Sequence, residues 1–332
     1  MAITLAEAKV GMADKVDQQI IDTFRRSSLL LDMLTFDNSI SPGTGCSTLA
    51  YGYIQLKTPS TAAVRAINTE YTAGEAKREE KTAKAVIMGG SFEVDRVLQN
   101  TSGAVDELAF QAQQKIKATA NYFHNLVVNG TSAASGAGYV VNTFDGLRKA
   151  LTGTSNDFTT DIDLSDSTKL DSNANAFVDQ LDQLTHMVDG GASLLLMNTA
   201  MLLKVRAAAR RAGYYDRKKD DFGRAVEYFG DIPIMDAGMY YNGTKSVDVI
   251  DTSTPSATVA GTSSIYAVNI ALDGFHGISP TGTGVINSYM PDLKAPGAVK
   301  KGEVELVAGV VLKNTLKAAA LNGIALKAKT SV

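Results

Sequence analysis

VDELAFQAQQKIKATANYFHNLVV, residues 105–128, spaces its apolar side chains by three or four: Val105, Leu108, Ala109, Ala112, Ile116, Ala120, Phe123 and Val127. That is the stripe of an amphipathic helix that buries one face. Asp106 and Glu107 fall in the first turn, where the positive end of the helix dipole favours acids. Asn129-Gly130 follows the last apolar residue, and the spacing predicts a left-handed glycine cap there. At about 1.5 Å per residue the rod is roughly 35 Å long, the width of a small domain. Such a helix is expected to serve as a beam whose stripe is core and which carries no site.

Upstream of the beam, Thr48 to Leu56 has strand character and Ala85 to Val94 returns to it. Between them Lys57 to Lys84 is polar, with Glu75, Lys77, Arg78, Glu79, Glu80, Lys81 and Lys84 mixing both signs, the pattern of a solvated face. A strand, a polar excursion and a returning strand describe an extended two-stranded loop, marginal in water unless it lies on a surface. Earlier still, Thr4 to Leu34 keeps a helical spacing through Leu5, Ala8, Met12, Val16, Ile20, Ile21 and Phe24. That stripe packs either on its own domain or, as an arm, on a neighbouring subunit.

Downstream, Gly153 to Ser172 reads as a Ser/Thr/Asp-rich surface loop and Ala176 to Val188 as a helix. Ala192 to Met197 is the continuous apolar run of a buried strand. Asn198 or Thr199 is placed to cap a helix reaching about Ala212. Further strands are predicted at Ile232–Met235, Val247–Ile250, Ser264–Ala271, Val285–Met290 and Glu303–Lys313, with loop at Thr252–Thr262 and a small apolar tail at Ala318–Lys327. Strands alternating with helices build a layered α/β or α+β domain.

Composition narrows the function classes. With 332 residues, 45% hydrophobic and 20% charged, the chain reads as a soluble globular protein of one large or two ordinary domains. No apolar run approaches the ~20 residues needed to span a bilayer, so no membrane association is expected. The N-terminus lacks a basic start and continuous apolar core, so the product is expected to remain in the cytoplasm where it is made. Cys46 is the only cysteine, which rules out an intrachain disulfide. A net charge of -3 and the absence of tryptophan leave no global attraction for nucleic acid and no obvious base-stacking surface.

A search for chemistry returns nothing. Gly-Lys never occurs, so there is no phosphate loop; HExxH and GxSxG are absent as well. Gly277, Gly282 and Gly284 are not followed by a helix, as a dinucleotide site requires. His124, His186 and His276 lie far apart without metal-ligand spacing, and His124 reads as a cation serving the helix end. Cys46 has no histidine nearby. The basic segment Lys204 to Arg224 holds Lys204, Arg206, Arg210, Arg211, Arg217, Lys218, Lys219 and Arg224 against Asp216, Asp220 and Asp221. It reads as a solvated helix end and loop, with a phosphate-binding patch as the alternative. No catalytic, cofactor or metal residue is assigned.

In this order the parts resemble a major capsid protein of a tailed double-stranded DNA bacteriophage, the Hong Kong 97-like α+β fold. Ile87-Met88-Gly89-Gly90-Ser91-Phe92-Glu93-Val94-Asp95 resembles the strand that closes the family's extended loop, and Asp106 to Asn129 its spine helix. Asn129-Gly130 to Phe144-Asp145-Gly146-Leu147 is similar to its link into the axial domain. Tyr228-Phe229-Gly230-Asp231-Ile232-Pro233-Ile234 looks like that domain's glycine-proline lead into a strand. Each run is weakly specific alone; the order carries the resemblance, which spans nearly the whole chain.

The resemblance implies an N-terminal arm at 1–50, an extended loop at 51–86 and a peripheral domain with the spine helix at 87–149. An axial domain follows at 150–283, peripheral return strands at 284–310, and an axial C-terminal tail at 311–332. It implies a non-enzymatic subunit that forms hexamers and pentamers of an icosahedral shell around double-stranded DNA, without sequence-specific binding. Such shells are virion components assembled in the host cytoplasm with a scaffold protein, a portal and, in some cases, a decoration protein. No long scaffolding segment precedes the arm here, which leaves a separate scaffold or earlier cleavage open. Some relatives crosslink a loop lysine to an asparagine; Lys57, Lys77 and Lys81 are available, but the partner is not identifiable and that chemistry is not carried over. The alternatives are an encapsulin-like nanocompartment shell and, from another class, a soluble α/β enzyme with an unrecognised site.

Overall fold

A computed structural model of the chain describes residues 30–38, 40, 49–101, 106–213, 216–219, 225–280 and 286–330. The amphipathic arm before residue 30, Cys46, and Gly282 and Gly284 lie outside the described residues. The described chain starts with α1 (Leu30–Met33) and β1 (Phe36–Asp37), then a ribbon of β2 (Ala50–Thr58) and β3 (Lys77–Lys84). Next come β4 (Val86–Asp95), the short α2 (Arg96–Thr101) and the spine helix α3 (Glu107–Asn129). After α4 (Leu147–Leu151) and β5 (Asp157–Thr159) come α5 (Ser167–His186), β6 (Leu194–Met197) and α6 (Thr199–Ala212). The strands β7 (Asp216–Lys219), β8 (Ala225–Phe229), β9 (Ile232–Asp236), β10 (Met239–Tyr241), β11 (Ser246–Asp248) and β12 (Gly261–Val268) follow. Last are β13 (Phe275–Ile278), β14 (Asn287–Tyr289), β15 (Val299–Leu312) and β16 (Ala318–Lys327).

Among the described residues two large sheets carry most of these elements, and β2–β3 and β10–β11 form separate two-stranded ribbons. One large sheet has seven strands in the order β5-β16-β12-β6-β9-β8-β7. Its β6 alternates between two cores, Leu194 and Leu196 facing one cluster and Leu195 and Met197 the other. Burial on both faces is why this strand reads as a continuous apolar run rather than an alternating one. α5 and α6 cover the face that Leu195 and Met197 share, through Phe177, Leu181, Leu184, Met201 and Val205. The end of the spine helix and α4 cover the other, through Phe123, Leu126, Val127, Leu147 and Leu151. The second sheet has five strands, with the long β15 pairing β4 along Val299–Ala308 and β13 along Gly309–Leu312. Met88, Leu306, Ala308 and Val310 of this sheet join the same cluster as the spine helix, so one core is continuous from sheet to sheet.

The spine helix begins where the sequence places it. Asp106 is its N-cap, accepting from the Ala109 amide at 3.1 Å, while Gln99 donates to the same carboxylate at 2.8 Å. Those bonds, Gln99 first, hold the Asp106 carboxyl below its usual range. The two halves of the rod differ: around Leu108 and Ile116 it is partly buried, whereas Phe123 to Val128 is buried on every side. It ends without the expected left-handed cap, because Gly130 has φ -67° and ψ 151°. Glycine is needed there for close approach instead, since a Cβ would stand 2.5 Å from the Phe144 carbonyl oxygen and 2.6 Å from that of Leu126. Left-handed capping occurs after α6, at Gly213 with φ 77°.

Two further expectations are corrected. The partner of β2 is the charged run β3, paired from Ala50↔Lys84 to Leu56↔Arg78, and β4 instead joins β15. In a ribbon with solvent on one face, alternate positions are free to be charged, so β3 carries no apolar strand signal. The stretch read as loop at 153–172 contains β5 and the first turn of α5, which Asp166 caps by accepting from the Lys169 amide at 2.9 Å. Ser, Thr and Asp favour caps and turns alike, and here the cap wins.

Candidate functional site

The β2–β3 ribbon and the chain between its strands form the most solvent-exposed part of the described structure. Directly paired residues share a face, so Tyr51, Tyr53 and Gln55 of β2 lie with Ala83, Lys81 and Glu79 of β3. This inner face rests on the molecule. Tyr51 packs with Ala85, Ile278 and Val311, and its hydroxyl donates to Asp37 Oδ2 at 2.8 Å. Gln55 Nε2 donates to the Lys313 carbonyl at 3.0 Å. The outer face pairs Ile54 with Glu80 and Leu56 with Arg78, and Ile54 is 71% exposed. Lys57 and Lys81 both reach Glu79, at 3.2 and 3.3 Å, and their donors hold its carboxyl below the usual range.

Residues 59–76 project beyond the strands with almost no burial. They are not shapeless. Thr69 bonds back to the Ala66 carbonyl through both amide and hydroxyl, and Asn68 takes the left-handed φ of 66°. Arg65 donates to the Thr69 carbonyl at 3.2 Å and lies 5.3 Å from the centre of the Tyr71 ring. This turn holds out Val64 and Ile67, which are 101% and 89% exposed.

The residues that sequence singled out for chemistry do not converge. His124 is 2% exposed in the core, and burial pushes its imidazole down to about 4. It is therefore neutral at pH 7, which corrects the expected cation at the helix end: the last turn of the spine is too buried to hold a charge. His186 Nδ1 sits 2.8 Å from the Asp182 carbonyl at the exposed end of α5. His276 lies under the ribbon, and Gly277 faces the Phe36 ring, where a Cβ would come within 2.5 Å. In the basic segment, Arg206 pairs with Glu227, Arg211 with Asp171, and Lys204 reaches the Ser165 carbonyl at 3.4 Å. Residues 214–215 and 220–224 of that segment lie outside the described residues.

Sequence reasoning missed one cavity, of about 530 Å³, because its walls come from five separate segments. The end of the spine helix, the stretch from Tyr139 through Arg148 and Thr152 to Asp157, the segment Ile250 to Ser253, and the strands β12 and β16 surround it. Of its charged groups, Arg148 and Asp157 are already engaged. Arg148 donates to the Gly138 carbonyl at 3.2 Å and stacks 4.8 Å from the Tyr139 ring centre, and Asp157 accepts from Asn322 at 2.7 Å. Burial pushes the Tyr266 hydroxyl on its floor up to about 12. Among the described residues no three metal-ligating side chains cluster anywhere, and no helix is long and apolar enough to cross a membrane.

No protein-family model and no curated protein matches this sequence. Solved structures do match it in shape. The holo-SrpI encapsulin complex from Synechococcus elongatus superposes with a TM-score of 0.64 at 13% identity, over 100% of this chain and 99% of that one. Mycobacterium phage Bobi gives 0.58 at 13% identity, covering 96% and 98%. The capsid of Myoviridae phage XM1 gives 0.56 at 13% identity, covering 93% and 96%. Identities this low speak for architecture alone, and on architecture they agree: the chain has the Hong Kong 97-like α+β fold found in phage capsids and in an encapsulin.

Proposed function

We propose that the chain is a structural, non-enzymatic shell subunit that assembles with copies of itself into hexamers and pentamers of an icosahedral capsid enclosing double-stranded DNA. The observation that carries the reading is the ribbon with its tip. A two-stranded ribbon is marginal alone in water, yet this one turns Ile54, Leu56, Val64 and Ile67 outward. A neighbouring copy supplies the missing surface. The net charge of -3 suits a container wall, since a strongly basic wall would hold its contents too tightly for packing and release.

In this reading residues 1–50 are an arm, 51–86 the extended loop and 87–149 the peripheral domain with its spine. Residues 150–283 form the axial domain, 284–310 return to the peripheral domain, and 311–332 complete the axial sheet. Within the 150–283 span the strand Phe275–Ile278 is hydrogen-bonded to β15 of the five-stranded sheet. A scaffold protein, a portal and a decoration protein are the further partners of a virion shell assembled in the host cytoplasm.

A second reading, an encapsulin-like compartment, is favoured by the full-length match to the SrpI shell at a TM-score of 0.64. Electron microscopy and sedimentation of the purified protein test the shell itself: closed particles or capsomers are expected, and a monodisperse monomer under all assembly conditions would overturn it. The contents separate the two readings. DNA inside particles from the native source supports the capsid, and a co-purifying enzyme in nucleic-acid-free particles supports the compartment.

A further inference from the structure

Four segments remote in sequence meet under the root of the ribbon: Asp37 of β1, Tyr51 of β2, His276 of β13 and Lys313 just past β15. The Tyr51 ring stands edge-on to the His276 imidazole, 5.9 Å between centres. The Tyr51 hydroxyl is bound to Asp37, and Lys313 Nζ lies 5.2 Å from the centre of the same ring. His276 is fully buried. Its Nδ1 lies 3.4 Å from the Gly274 carbonyl, and its Nε2 has no hydrogen-bond partner. A proton on Nδ1 with Nε2 bare is the neutral tautomer this geometry accommodates.

We propose that His276 is a proton-operated latch for the ribbon: neutral, it seats Tyr51 and holds β2 against the body, and protonated it leaves its burial and lets the root of the ribbon lift. A second proton would charge a ring that has no solvent and no acceptor at Nε2. Lys313 faces that charge with the same sign, while Asp37 and Asp273 offer the opposite one. Burial and Lys313 prevail, holding the imidazole below its ordinary value. The ribbon is the element that yields. β13 is locked between β1 and β15, whereas β2 is hydrogen-bonded to no strand of the body and meets it through the small cluster around Tyr51, the Tyr51–Asp37 bond and a bond from Gln55.

The direction follows from linkage. With the ribbon lifted, His276 is solvated and titrates near its ordinary 6.5. Seated, it resists the proton, so the seated state is favoured above that pH and weakens as the pH falls through it. Each unit of difference between the two states shifts the seated-to-lifted ratio by about tenfold. The use of this latch in assembly rests on the shell reading; the latch itself does not.

Hydrogen exchange of the unassembled full chain tests it between about pH 7.5 and 5, the range where histidine titrates, with rates corrected for intrinsic exchange. Amides of Ala50–Thr58 and Lys77–Lys84 are expected to lose protection towards pH 5 while β13 and β15 keep theirs. In His276→Phe, which keeps a flat ring beside Tyr51 and cannot titrate, the ribbon should stay equally protected across the range. Should that variant fail to fold, the His276 ring resonances of the wild-type chain are followed instead: their titration must coincide with the loss of ribbon protection. Protection independent of pH, or the same loss in His276→Phe, or a ring titration that does not track it, would overturn the latch. Because no shells are needed, a failed latch leaves the shell reading untouched.

Discussion

His124 shows what a single buried polar side chain costs this core. It is 2% exposed, packed beside Phe123, and its Nε2 has no hydrogen-bond partner. Burial alone lowers its pKa from 6.5 to about 4, so the folded chain keeps it neutral at pH 7. Above about pH 6.5 neither the folded nor the unfolded chain binds this proton, and stability is indifferent to it. Below that the unfolded chain takes up a proton that the folded chain refuses, until the folded pKa near 4 is passed. At 1.36 kcal/mol per unit, the group removes about 3 kcal/mol of stability over that window. Urea unfolding at pH 7 and pH 4.5 checks this against His124→Leu, which cannot titrate. The variant is expected to lose about 2 kcal/mol less than the wild type between the two pH values. Equal losses would mean that the imidazole already reaches water.

At the level of elements, Asn198 joins three of them. Its Oδ1 caps α6 by accepting from the Met201 amide at 2.8 Å. Its Nδ2 donates to the Ile250 carbonyl at 2.9 Å and lies within 3.0 and 3.1 Å of the Thr252 and Ser263 hydroxyls. Asn198→Ala removes the cap and strands buried partners, so a loss of about 3 kcal/mol is expected from the urea midpoint. Asn198→Asp should retain the cap and lose the donor bonds; a full loss in both variants would show that the tie to β12, not the cap, dominates. The cap was legible in the sequence because Asn198 directly precedes a helical stripe, and the tie was not, because Ile250 and Ser263 are distant in sequence. The same division holds elsewhere. The spine, β6 and α6 announce themselves through local periodicity and caps. The charged strand β3 has no apolar alternation, since its pairing with β2 buries one face only in part. The cavity around Arg148 and Tyr266 gathers residues from five segments, and only the folded chain brings them together.

For the whole molecule, the decisive quantity in the shell reading is the difference between what the chain needs to fold and what it would need to assemble. The sheets, α5, α6 and the spine bury their apolar faces within the chain. The tip does not: Val64 and Ile67 stand in solvent on a turn fixed by Arg65, Asn68 and Thr69. Substituting both with aspartate should therefore leave stability within about 0.5 kcal/mol of wild type, as surface changes generally do. In the shell reading the same V64D/I67D chain must bury two carboxylates where a neighbour expects apolar side chains, at about 2 kcal/mol or more each. A closed shell repeats that penalty at every subunit contact, so sedimentation and electron microscopy should find folded capsomers or monomers without closed particles. Deleting Thr58 to Lys81 should give the same outcome more severely, with the core still folded. If V64D/I67D forms normal shells, the tip does not touch a neighbour; if it unfolds, the tip packs on its own chain. Either result would move the assembly contact to the outer face of the ribbon, where Ile54 and Leu56 stand beside Glu80 and Arg78.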